Sequence, residues 1–544
     1  MDSLELDYAL LPLKQARLGF SFTELNKATL LQEENIPVVT DSLEQAKSNI
    51  RFIDRVKAYV AKFQDTHFSI GPTTPMPIIY NGLKVTQVNG KVLVSAMETK
   101  LLSYVAKRSG IDSFTKIKIG DELLKIDGRP VNDVVAELSQ YISSSSPGFT
   151  TLRAVSGLTL RTYNYPNKNY VDITFGNGQT LRFPWFYSTT GLSVRPDVNF
   201  FFKALGFIND TSVGLNWDNV KKDWVESTPS YDGYIASNLP ATLADKKEYT
   251  TATFGTVIRT GYFSKDNQTY GVLELLTFQE SSVKDAAGTT STFLDVIAKF
   301  IAELKSKNLP LIFDLRNNNG GNGTYPPAIL SYLTEAGKTY ANRTSGYRIT
   351  EYMRQLQEPD FYKDFPADDL STGITNDQFK EMFLDAVRER AIYTPMFSYG
   401  DIKEDSTIGG FEQKIVALVT ANCVSACDNM ANLLKNNHRA LLIGTHSNGT
   451  GAGFSSDDRL NTKWTDPRHV LSTTFPNYIF GNPGGAPGVY IFEKESAERL
   501  CSENRPHVAD ILYTTQMEDV ASNNIGWYNK AVEVLEQNDK SNND

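Results

Sequence analysis

The chain has 544 residues, of which 40% are hydrophobic and 11% aromatic, so it is long enough for two to four domains with sizeable cores. A formal net charge of −9 and a pI near 5.3 argue against nucleic acid or an anionic membrane as the main partner. Three cysteines are too sparse a set for a disulfide framework, and no run of about 18 apolar residues predicts membrane insertion.

The N-terminus lacks the basic and apolar segments of an export signal. We expect an exported protein, periplasmic or secreted, in a mature form whose signal peptide has been removed; a cytoplasmic protein is the alternative. Sequons at Asn209 and Asn267 fit export without deciding it.

Residues 1–82 are predicted to form an N-terminal helical region. From about residue 41 to 63, apolar residues recur at helical spacing and predict one amphipathic helix: Ile50, Ile53, Val56, Val60 and Phe63. A polar turn, Asp65-Thr66-His67, follows this helix. Taken alone, a histidine after a helix is more often structural than catalytic.

Residues 83–155 alternate in the manner of β-strands and contain the string IKIGDELLKIDGRPV at Ile117–Val131. A Gly-Asp turn, a strand and an Asp-Gly hairpin turn resemble the centre of a PDZ domain, which takes an extended peptide onto a sheet edge. A generic β-hairpin is the alternative. Residues 156–250 show no clear period and are interpreted as an irregular connecting region.

Residues 251–530 are predicted to form an α/β core. A strand at Tyr270–Phe278, a helix at Ser291–Lys307 and a buried strand at Pro310–Leu315 succeed one another. The last strand ends in paired glycines, Gly320 and Gly321, which let backbone N–H groups approach a ligand closely. A flexible turn would use the same residues. Residues 345–410 are interpreted as an insertion between core elements.

The segment from residue 415 to 454 contains a β-branched run at Ile415–Thr420, then helical spacing, then a second apolar run at Ala440–Gly444. Ser425 lies at the strand-to-helix junction, beside unpaired N–H groups and at the positive end of the helix dipole. A serine there can hold a nucleophile; it can equally be an N-cap.

Three residues close to Ser425 have open roles. Cys423 and Cys427 flank it, and we expect buried packing from them and no metal site, because a zinc site needs further ligands. Asp428 either orients the site or occupies the first helical turn, where acids are favoured. Farther on, the pattern predicts a strand at Val489–Phe492, a helix from about Trp527 to Glu536 and a frayed tail at 531–544.

The order of these motifs resembles the C-terminal-processing (tail-specific) serine protease family. The matching features are a DLR-x-N-x-GG strand end at residues 314–321, a serine at a strand–helix turn, and RALLIGT at residues 439–445 before a Gly-rich loop. The resemblance runs from about residue 65 to 520. It implies a crotonase-like α/β core that carries a PDZ domain.

One departure from that family concerns the general base. The usual members carry a lysine in a T-x-x-x-G-K-G loop, and here Thr450 occupies that position. A hydroxyl is too weak a base near neutrality. The sequence is more similar to the histidine-base branch of chlamydial protease-like activity factor, which implies His67, in its D-x-H turn, as base and Glu503, opening an E-N segment, as third member.

The resemblance implies a Ser425–His67–Glu503 triad in which imidazole deprotonates the serine and a carboxylate fixes the imidazole tautomer. The N–H of Ala426, with that of Gly320 or Gly321, would bind the oxyanion. The rival bases and acids in the sequence are His507, His438, His469, Glu493 and Glu495.

The sequence therefore predicts a serine endopeptidase acting on protein or peptide substrates through an acyl-enzyme, without metal or cofactor. Relatives in the histidine branch can pair, so a homodimer is open. A catalytically silent relative that binds peptides as a scaffold is the first alternative. A hydratase-like enzyme, which needs no serine nucleophile, is the second.

Overall fold

The structure is a computed structural model, and it describes most of the chain with several gaps. The described residues are 8–11, 14, 42–72, 76–188, 196–210, 217–218, 223–224, 243–279, 281–350, 354, 376–398, 400–454, 463–465, 471–474, 476, 478–481 and 501–540. The predicted strand at Val489–Phe492 lies outside these residues.

Helices and strands are numbered separately in chain order. The helices are α1 (Ser42–Ala61), α2 (Thr99–Ser109), α3 (Val131–Ser139), α4 (Pro147–Ser156), α5 (Pro196–Ala204), α6 (Phe293–Ser306), α7 (Tyr325–Leu333), α8 (Asn376–Arg388), α9 (Ala426–Asn436), α10 (Met517–Ser522) and α11 (Ile525–Lys540). The strands of the N-terminal half are β1 (Gly71–Pro72), β2 (Ile78–Tyr80), β3 (Leu83–Val88), β4 (Lys91–Met97), β5 (Glu122–Ile126), β6 (Arg129–Pro130), β7 (Leu160–Arg161), β8 (Tyr170–Phe175), β9 (Thr180–Pro184), β10 (Phe186–Ser188), β11 (Ile208–Asn209), β12 (Trp217–Asp218), β13 (Asp223–Trp224), β14 (Ala244–Thr251) and β15 (Gly255–Lys265). Those of the C-terminal half are β16 (Gln268–Leu275), β17 (Ser282–Lys284), β18 (Thr290–Thr292), β19 (Leu311–Asp314), β20 (Thr339–Tyr340), β21 (Thr344–Tyr347), β22 (Phe397–Ser398), β23 (Ile402–Lys403), β24 (Ile415–Val419), β25 (Leu441–Gly444), β26 (Ala452–Gly453), β27 (Lys463–Thr465), β28 (Leu471–Thr474), β29 (Tyr478–Gly481) and β30 (Ile511–Leu512).

The core is a nine-stranded sheet in the order β18-β17-β14-β15-β16-β19-β24-β25-β30. From β16 to β30 neighbouring strands run parallel, as the alternation of strands and helices in the sequence predicts. Both faces of this sheet are covered. On β19 and β24, Phe313 and Ala417 face helices α6, α7 and α9, whereas Ile312 and Val416 face α11. The predicted α/β core is confirmed.

The C-terminal end of the chain differs from the prediction. Helix α11 confirms the helix predicted at Trp527–Glu536, but it continues to Lys540, so residues 531–540 are not a frayed tail. Their sequence is polar at every exposed position, but Val532 and Leu535 are buried against the sheet face that carries Val416. This packing stabilises a helix end whose composition resembles a solvated tail.

The second sheet has the order β3-β4-β5-β8-β9, with β6 paired to β5. It contains the Gly-Asp and Asp-Gly turns of Ile117–Val131 and packs on α2 and α3. Strands β8 and β9, residues 170–184, extend this sheet beyond the module boundary that was placed at residue 155. The burial of β8 alternates along YVDITF as expected for a strand with one buried face.

Helix α1 confirms the predicted amphipathic helix and links two regions. Ile50 belongs to the core of the β3–β9 sheet, whereas Ile53 and Phe63 pack with the N-terminal residues 8–11 and with Ile479. Phe63 also contacts Phe68 edge to face, with ring centroids 5.0 Å apart. The polar turn that carries His67 therefore lies between two well-packed aromatic residues.

The described part of the predicted insertion at 345–410 contains regular structure. Strand β21 pairs with β22 and β29, and β26 completes a four-stranded sheet in the order β22-β21-β29-β26. Helix α8 precedes β22. Among the residues that the structure describes, no helix has the length and apolar composition that a bilayer crossing requires.

Candidate active site

The turn between β24 and α9 presents Ser425 in an unusual backbone conformation. Its φ of 59° and ψ of −115° lie outside the regions that L-residues favour, as at the sharp strand-to-helix turns that expose nucleophiles. Between Ala421 and Leu434 it is the one residue that is not buried. Ser425 occupies the N-cap position of α9 and forms a capping box with Asp428, whose carboxylate accepts the Ser425 N–H. Because Ser425 is only half-buried, a ligand can reach its side chain.

The two cysteines beside Ser425 form a disulfide, so the expectation of simple buried packing was wrong. The turn brings Cys423 and Cys427 to a Cα separation of 5.0 Å, which lies in the range of disulfides, and the sulfur atoms are 2.01 Å apart. Both sulfurs are therefore unavailable to a metal. The bond covalently closes the loop that carries Ser425. Cys501 is free and buried.

The glycine loop that follows β19 packs directly on this turn. At Gly320, a Cβ atom would lie 2.4 Å from the carbonyl oxygen of Val424 and 2.8 Å from Cβ of Ser425. The φ of Gly320 is +87°, which also favours glycine. The paired glycines thus permit a close backbone approach, and a flexible turn would not require it.

The DLR segment before the glycines is a structural support. Asp314 and Arg316 form a buried ion pair with an oxygen–nitrogen distance of 2.6 Å. The hydroxyl of Tyr528 on α11 donates to the same carboxylate at 2.8 Å. These contacts fasten the end of β19 to the C-terminal helix directly below the glycine loop.

Backbone N–H groups near Ser425 differ in their availability to a ligand. The N–H of Gly320 donates to Oδ1 of Asn318 at 2.8 Å and is already engaged. The carbonyl of Gly320 and the N–H of Asn322 both bond Phe278, so the N–H of Gly321 points to the opposite side of the loop. Ala426 is the first residue of α9, where an N–H has no intrahelical partner. Of the predicted oxyanion donors, this pattern favours the N–H of Ala426 together with the N–H of Gly321.

Asp428 connects the nucleophile turn to the loop after β25. Its buried carboxylate accepts the N–H groups of Ser425 at 3.0 Å, Gly449 at 2.7 Å and Thr450 at 3.2 Å. Burial raises the pKa of Asp428 to about 6, and hydrogen bonds from Ser447, Gly449 and Thr450 oppose the rise. Asp428 therefore positions two segments and does more than occupy a first helical turn.

The turn that carries His67 meets the same loop from the other side. Oδ1 of Asp65 accepts the N–H of His67 at 2.8 Å, and Oγ1 of Thr66 donates to Oδ1 of Asn448 at 2.6 Å. The N–H of Asn448 in turn donates to the carbonyl of Cys423 at 2.8 Å. Thr66 and Asn448 are 382 positions apart in the sequence. The fold thus brings the predicted base and the predicted nucleophile to one shared loop.

The imidazole of His67 is half-buried and packs edge-on against Phe454, with ring centroids 5.3 Å apart. Burial lowers the pKa of His67 below its usual 6.5, while the negative charge of Asp65 and a hydrogen bond to the Ala452 carbonyl act in the opposite direction. Nδ1 is shielded from solvent and has no hydrogen-bond partner. The lowered pKa favours the neutral ring, which retains a nitrogen that can accept a proton.

Glu503 is fully buried close to this turn, but it is not bonded to Nδ1 of His67. Its Oε1 accepts hydrogen bonds from Nζ of Lys14 at 2.8 Å and Oγ of Ser145 at 2.9 Å, and its Oε2 accepts the N–H of Gly451 at 2.5 Å. The N–H of Thr66 donates to the same Ser145 hydroxyl at 3.1 Å. Glu503 thus reaches the His67 turn through Ser145.

Lys14 and Ser145 are the residues that sequence reasoning missed. Ser145 lies in a run of four serines, and Lys14 lies in a segment without a recognisable period. No local pattern marks either residue as part of a site, because their partners are remote in sequence.

The rival bases occupy different surroundings. His438 is exposed on the surface. Burial, with a contribution from Lys435, lowers the pKa of His507 to about 4. The other rivals, His469, Glu493 and Glu495, lie outside the described residues.

Two segments of the chain match known families. Residues 269–478 match the profile of Peptidase family S41, and residues 79–182 match that of a PDZ domain. The protein is a serine protease with a PDZ domain, and the predicted resemblance to the tail-specific proteases is confirmed.

Two kinds of relative match most of the chain. A Chlamydia trachomatis protein is 23% identical over 423 residues, which are 66% of this chain and 69% of that one. The crystal structure of mature CPAF superposes with a TM-score of 0.67 at 18% identity, covering 99% of this chain and 96% of that chain. The structure of mature CPAF complexed with lactacystin gives 0.66 at 18% identity over 98% and 96%. At this identity the structural matches establish a common fold.

Proposed function

We propose that this S41 protease is an endopeptidase that uses Ser425 as nucleophile, His67 as general base and Glu503 as the carboxylate that supports the base. The observation that carries the proposal is the backbone of Ser425. A half-buried serine is held at φ 59° and ψ −115°, beside a loop shared with the turn of His67. Strain of this kind persists where the surrounding structure imposes it, and it is concentrated at functional sites.

The chemistry follows the acyl-enzyme route. Oγ of Ser425 attacks the peptide carbonyl carbon and its proton passes to the imidazole of His67. The oxyanion is stabilised by the N–H groups of Ala426 and Gly321, each contributing roughly 3 kcal/mol by analogy with other oxyanion holes. The imidazolium then protonates the departing amine. Water, deprotonated by His67, hydrolyses the ester and restores the serine.

Glu503 supports the base without a direct bond to Nδ1 in the described arrangement. Its negative charge stabilises the imidazolium that forms during the reaction, and this interaction is stronger in a buried site than in water. Ser145 joins the carboxylate to the backbone of Thr66, the residue before His67. Substrate binding is expected to tighten these hydrogen bonds, as is usual when a free active site becomes occupied.

The disulfide supports the proposal that the protein is exported. Disulfides persist in oxidising compartments and are rare in the cytosol. The Cys423–Cys427 bond closes the loop that carries the nucleophile, so the active site would mature outside the cytosol. Fractionation of the producing cell, with the thiols alkylated before lysis, tests this: the proposal predicts an oxidised pair in the exported fraction, and a reduced cytosolic pool would contradict it.

Digestion of an unfolded protein and of an internally cleavable peptide tests the proposed activity. The wild type should release internal fragments, whereas Ser425→Ala and His67→Ala should not. Ser109→Ala is the matched control, because the Ser109 hydroxyl bonds only its own helix and neighbouring backbone, away from the site. It should cleave like the wild type.

The two alternative functions give different results in the same assay. A silent, peptide-binding relative would bind the peptide equally in the wild type and Ser425→Ala and would release no fragments from either. A hydratase-like enzyme would keep its activity in Ser425→Ala. Release of fragments by the wild type that persists in both variants would contradict the assignment of these residues.

A further inference from the structure

The surroundings of Glu503 contain a cation that the proposed triad does not use. Lys14 and Glu503 have no solvent exposure in their side chains, and Nζ of Lys14 lies 2.8 Å from Oε1 of Glu503. Removing two charges from water is costly unless each is paired and hydrogen-bonded. A fully buried ion pair at this position therefore calls for complete satisfaction of both groups.

Lys14 meets that requirement. An ammonium group has three donors. Those of Lys14 are directed to Oε1 of Glu503, to Oδ1 of Asn504 at 2.6 Å and to the backbone carbonyl of Gln64 at 2.8 Å. The side-chain amide of Asn504 returns a hydrogen bond to the same Gln64 carbonyl at 2.8 Å.

These three acceptors belong to the two segments that carry the proposed base and its supporting carboxylate. Gln64 has a φ of +51° and opens the turn that continues to His67. Glu503 and Asn504 open the E-N segment. The ammonium of Lys14 thus joins the base-bearing turn to the acid-bearing segment at a point remote from both in sequence.

A second contact brings the N-terminal segment to the same turn. The hydroxyl of Tyr8 donates to Oδ2 of Asp65 at 2.6 Å, and the other oxygen of Asp65 holds the N–H of His67. Burial, followed by the charge of Asp65, raises the pKa of Tyr8 well above its usual range, so this phenol stays a donor. Tyr8 and Lys14 therefore contact the His67 turn at Asp65 and at Gln64.

We infer that Lys14 is a positioning residue of the protease: its ammonium fixes the Glu503 carboxylate and the His67 turn in one arrangement, so that the active site is complete only when the N-terminal segment is docked. This inference rests on the proposed triad. It extends the triad by a residue that lies outside the motifs shared with tail-specific proteases.

The charges that face Glu503 determine the direction of the expected pH effect. Burial raises the pKa of Glu503, Lys14 lowers it, Asp65 raises it, and the N–H of Gly451 lowers it. The nearby phenol of Tyr8 is neutral. Without the ammonium, two carboxylates remain close together, so Glu503 would hold a proton to a higher pH than in the wild type.

Lys14→Met tests the inference through the pH profile of kcat/KM, with Lys14→Arg as the variant that keeps the charge. Lys14→Met should lower kcat at pH 7 about 10- to 100-fold, the usual effect of removing a group that orients a catalytic residue, and change KM less than twofold. Its acid limb should move to higher pH by at least about one unit. Lys14→Arg should keep the acid limb of the wild type.

Two further variants keep the test decisive. Lys305→Met removes a partly buried lysine that bonds the Ile408 carbonyl in the core, and it should leave the pH profile unchanged. If Lys14→Met does not fold, Lys14→Gln, which is neutral and still a donor, should show the same shift of the acid limb. An unchanged acid limb in a folded Lys14→Met or Lys14→Gln would overturn the inference.

Failure of the inference and failure of the triad can be told apart with Glu503→Gln. If Glu503→Gln is fully active, the triad itself is wrong. If Glu503→Gln is impaired but Lys14→Met behaves like the wild type, only the role of Lys14 is wrong. If the triad and the role of Lys14 are both correct, the double variant Lys14→Met with Glu503→Gln should be no slower than Glu503→Gln alone, because Lys14 acts through that carboxylate.

Discussion

The two sides of the active site are built in different ways. On the nucleophile side, β24, the turn at Cys423–Ser425 and α9 follow one another in the chain, and a disulfide closes the turn. On the base side, four parts of the chain that are remote in sequence meet: Tyr8 with Lys14, the turn at Asp65–His67, the serine run at 143–146 and the segment that opens with Glu503. The first side is local and the second is assembled from distant parts.

Because the two sides are built differently, they should respond to different perturbations. The nucleophile is held by backbone geometry and by the single carboxylate of Asp428, so its turn should respond most strongly to steric substitutions. The base is held by buried charges and their hydrogen bonds, which respond to pH and to the loss of single charges. Variants on the two sides should therefore fail in distinguishable ways.

The largest expected effect comes from removing the nucleophile or the base itself. Ser425→Ala and His67→Ala should each lower kcat by about 10⁴- to 10⁶-fold, because nucleophile and base act as a unit. The double variant should be no slower than either single variant. Thermal unfolding should shift little, by an equivalent of at most about 0.5 kcal/mol for the half-buried Ser425. Multiplicative losses in the double variant would show that the two residues act independently.

Gly320→Ala should break the nucleophile side sterically. Its methyl group would lie 2.4 Å from the Val424 carbonyl, at a φ of +87°. We expect kcat to fall about 10²- to 10³-fold through displacement of the oxyanion loop, and stability to fall by about 1–3 kcal/mol. Gly288→Ala is the matched control, since it has a φ of +81° and open space around it. Equal losses of kcat in both variants would mean that backbone strain alone, and not proximity to Ser425, is responsible.

Glu503→Gln should change the pH dependence of kcat/KM, which reports on the base side. Burial raises the pKa of Glu503 to about 7 while burial lowers that of His67 below 6.5, so the acid limb of kcat/KM in the wild type follows the carboxylate. The variant should lose about 10- to 100-fold in kcat at pH 8, and its acid limb should move down to that of His67. An acid limb that stays in place would assign it to another group.

The same substitution has a stability readout. Because the pKa of Glu503 is higher in the folded state than its usual 4.5, the folded protein holds the extra proton between about pH 4.5 and 7. The free energy of unfolding of the wild type should therefore decrease as pH rises through this window. Glu503→Gln should remove that part of the slope in urea titrations. An unchanged slope would show that Glu503 titrates alike in both states.

Removal of the disulfide should have the smallest effect. Cross-linking so short a loop contributes about 2 kcal/mol by the loop-closure relation. Cys423→Ala with Cys427→Ala should lower stability by that amount in urea unfolding and reduce kcat less than about tenfold, because Asp428 still holds the N–H of Ser425. A loss as large as that of Ser425→Ala would show that the covalent bond, and not the hydrogen bonds, holds the turn.

Most of the nucleophile side could be predicted from the sequence. Strand β24, helix α9 and the serine between them follow from apolar spacing, and the glycines after β19 indicated a close approach. The disulfide was missed because a C-x3-C pair on a helix does not ordinarily bridge; the sharp turn at Ser425 is what brings the cysteines together. Helix α11 was cut short because burial by a remote sheet face does not show in local composition.

On the base side, His67 and Glu503 could be predicted only from the resemblance to a family. His67 is one histidine after a helix, and nothing in its surroundings by sequence distinguishes it. Lys14 and Ser145 carry no pattern at all, since their roles depend on contacts with Glu503 across the fold. Periodicity reports elements and faces, whereas a buried charge network depends on tertiary proximity.

The rate at which a fluorophosphonate modifies the protein, with the adduct located by peptide mass spectrometry, measures directly whether His67 activates Ser425. The proposed pairing of Ser425 with His67 predicts a single adduct on Ser425 and a labelling rate that falls about 10²- to 10⁴-fold in His67→Ala, the range of general base catalysis. Ser109→Ala should label like the wild type. An adduct on another residue, or equally fast labelling of Ser425 in His67→Ala, would contradict it.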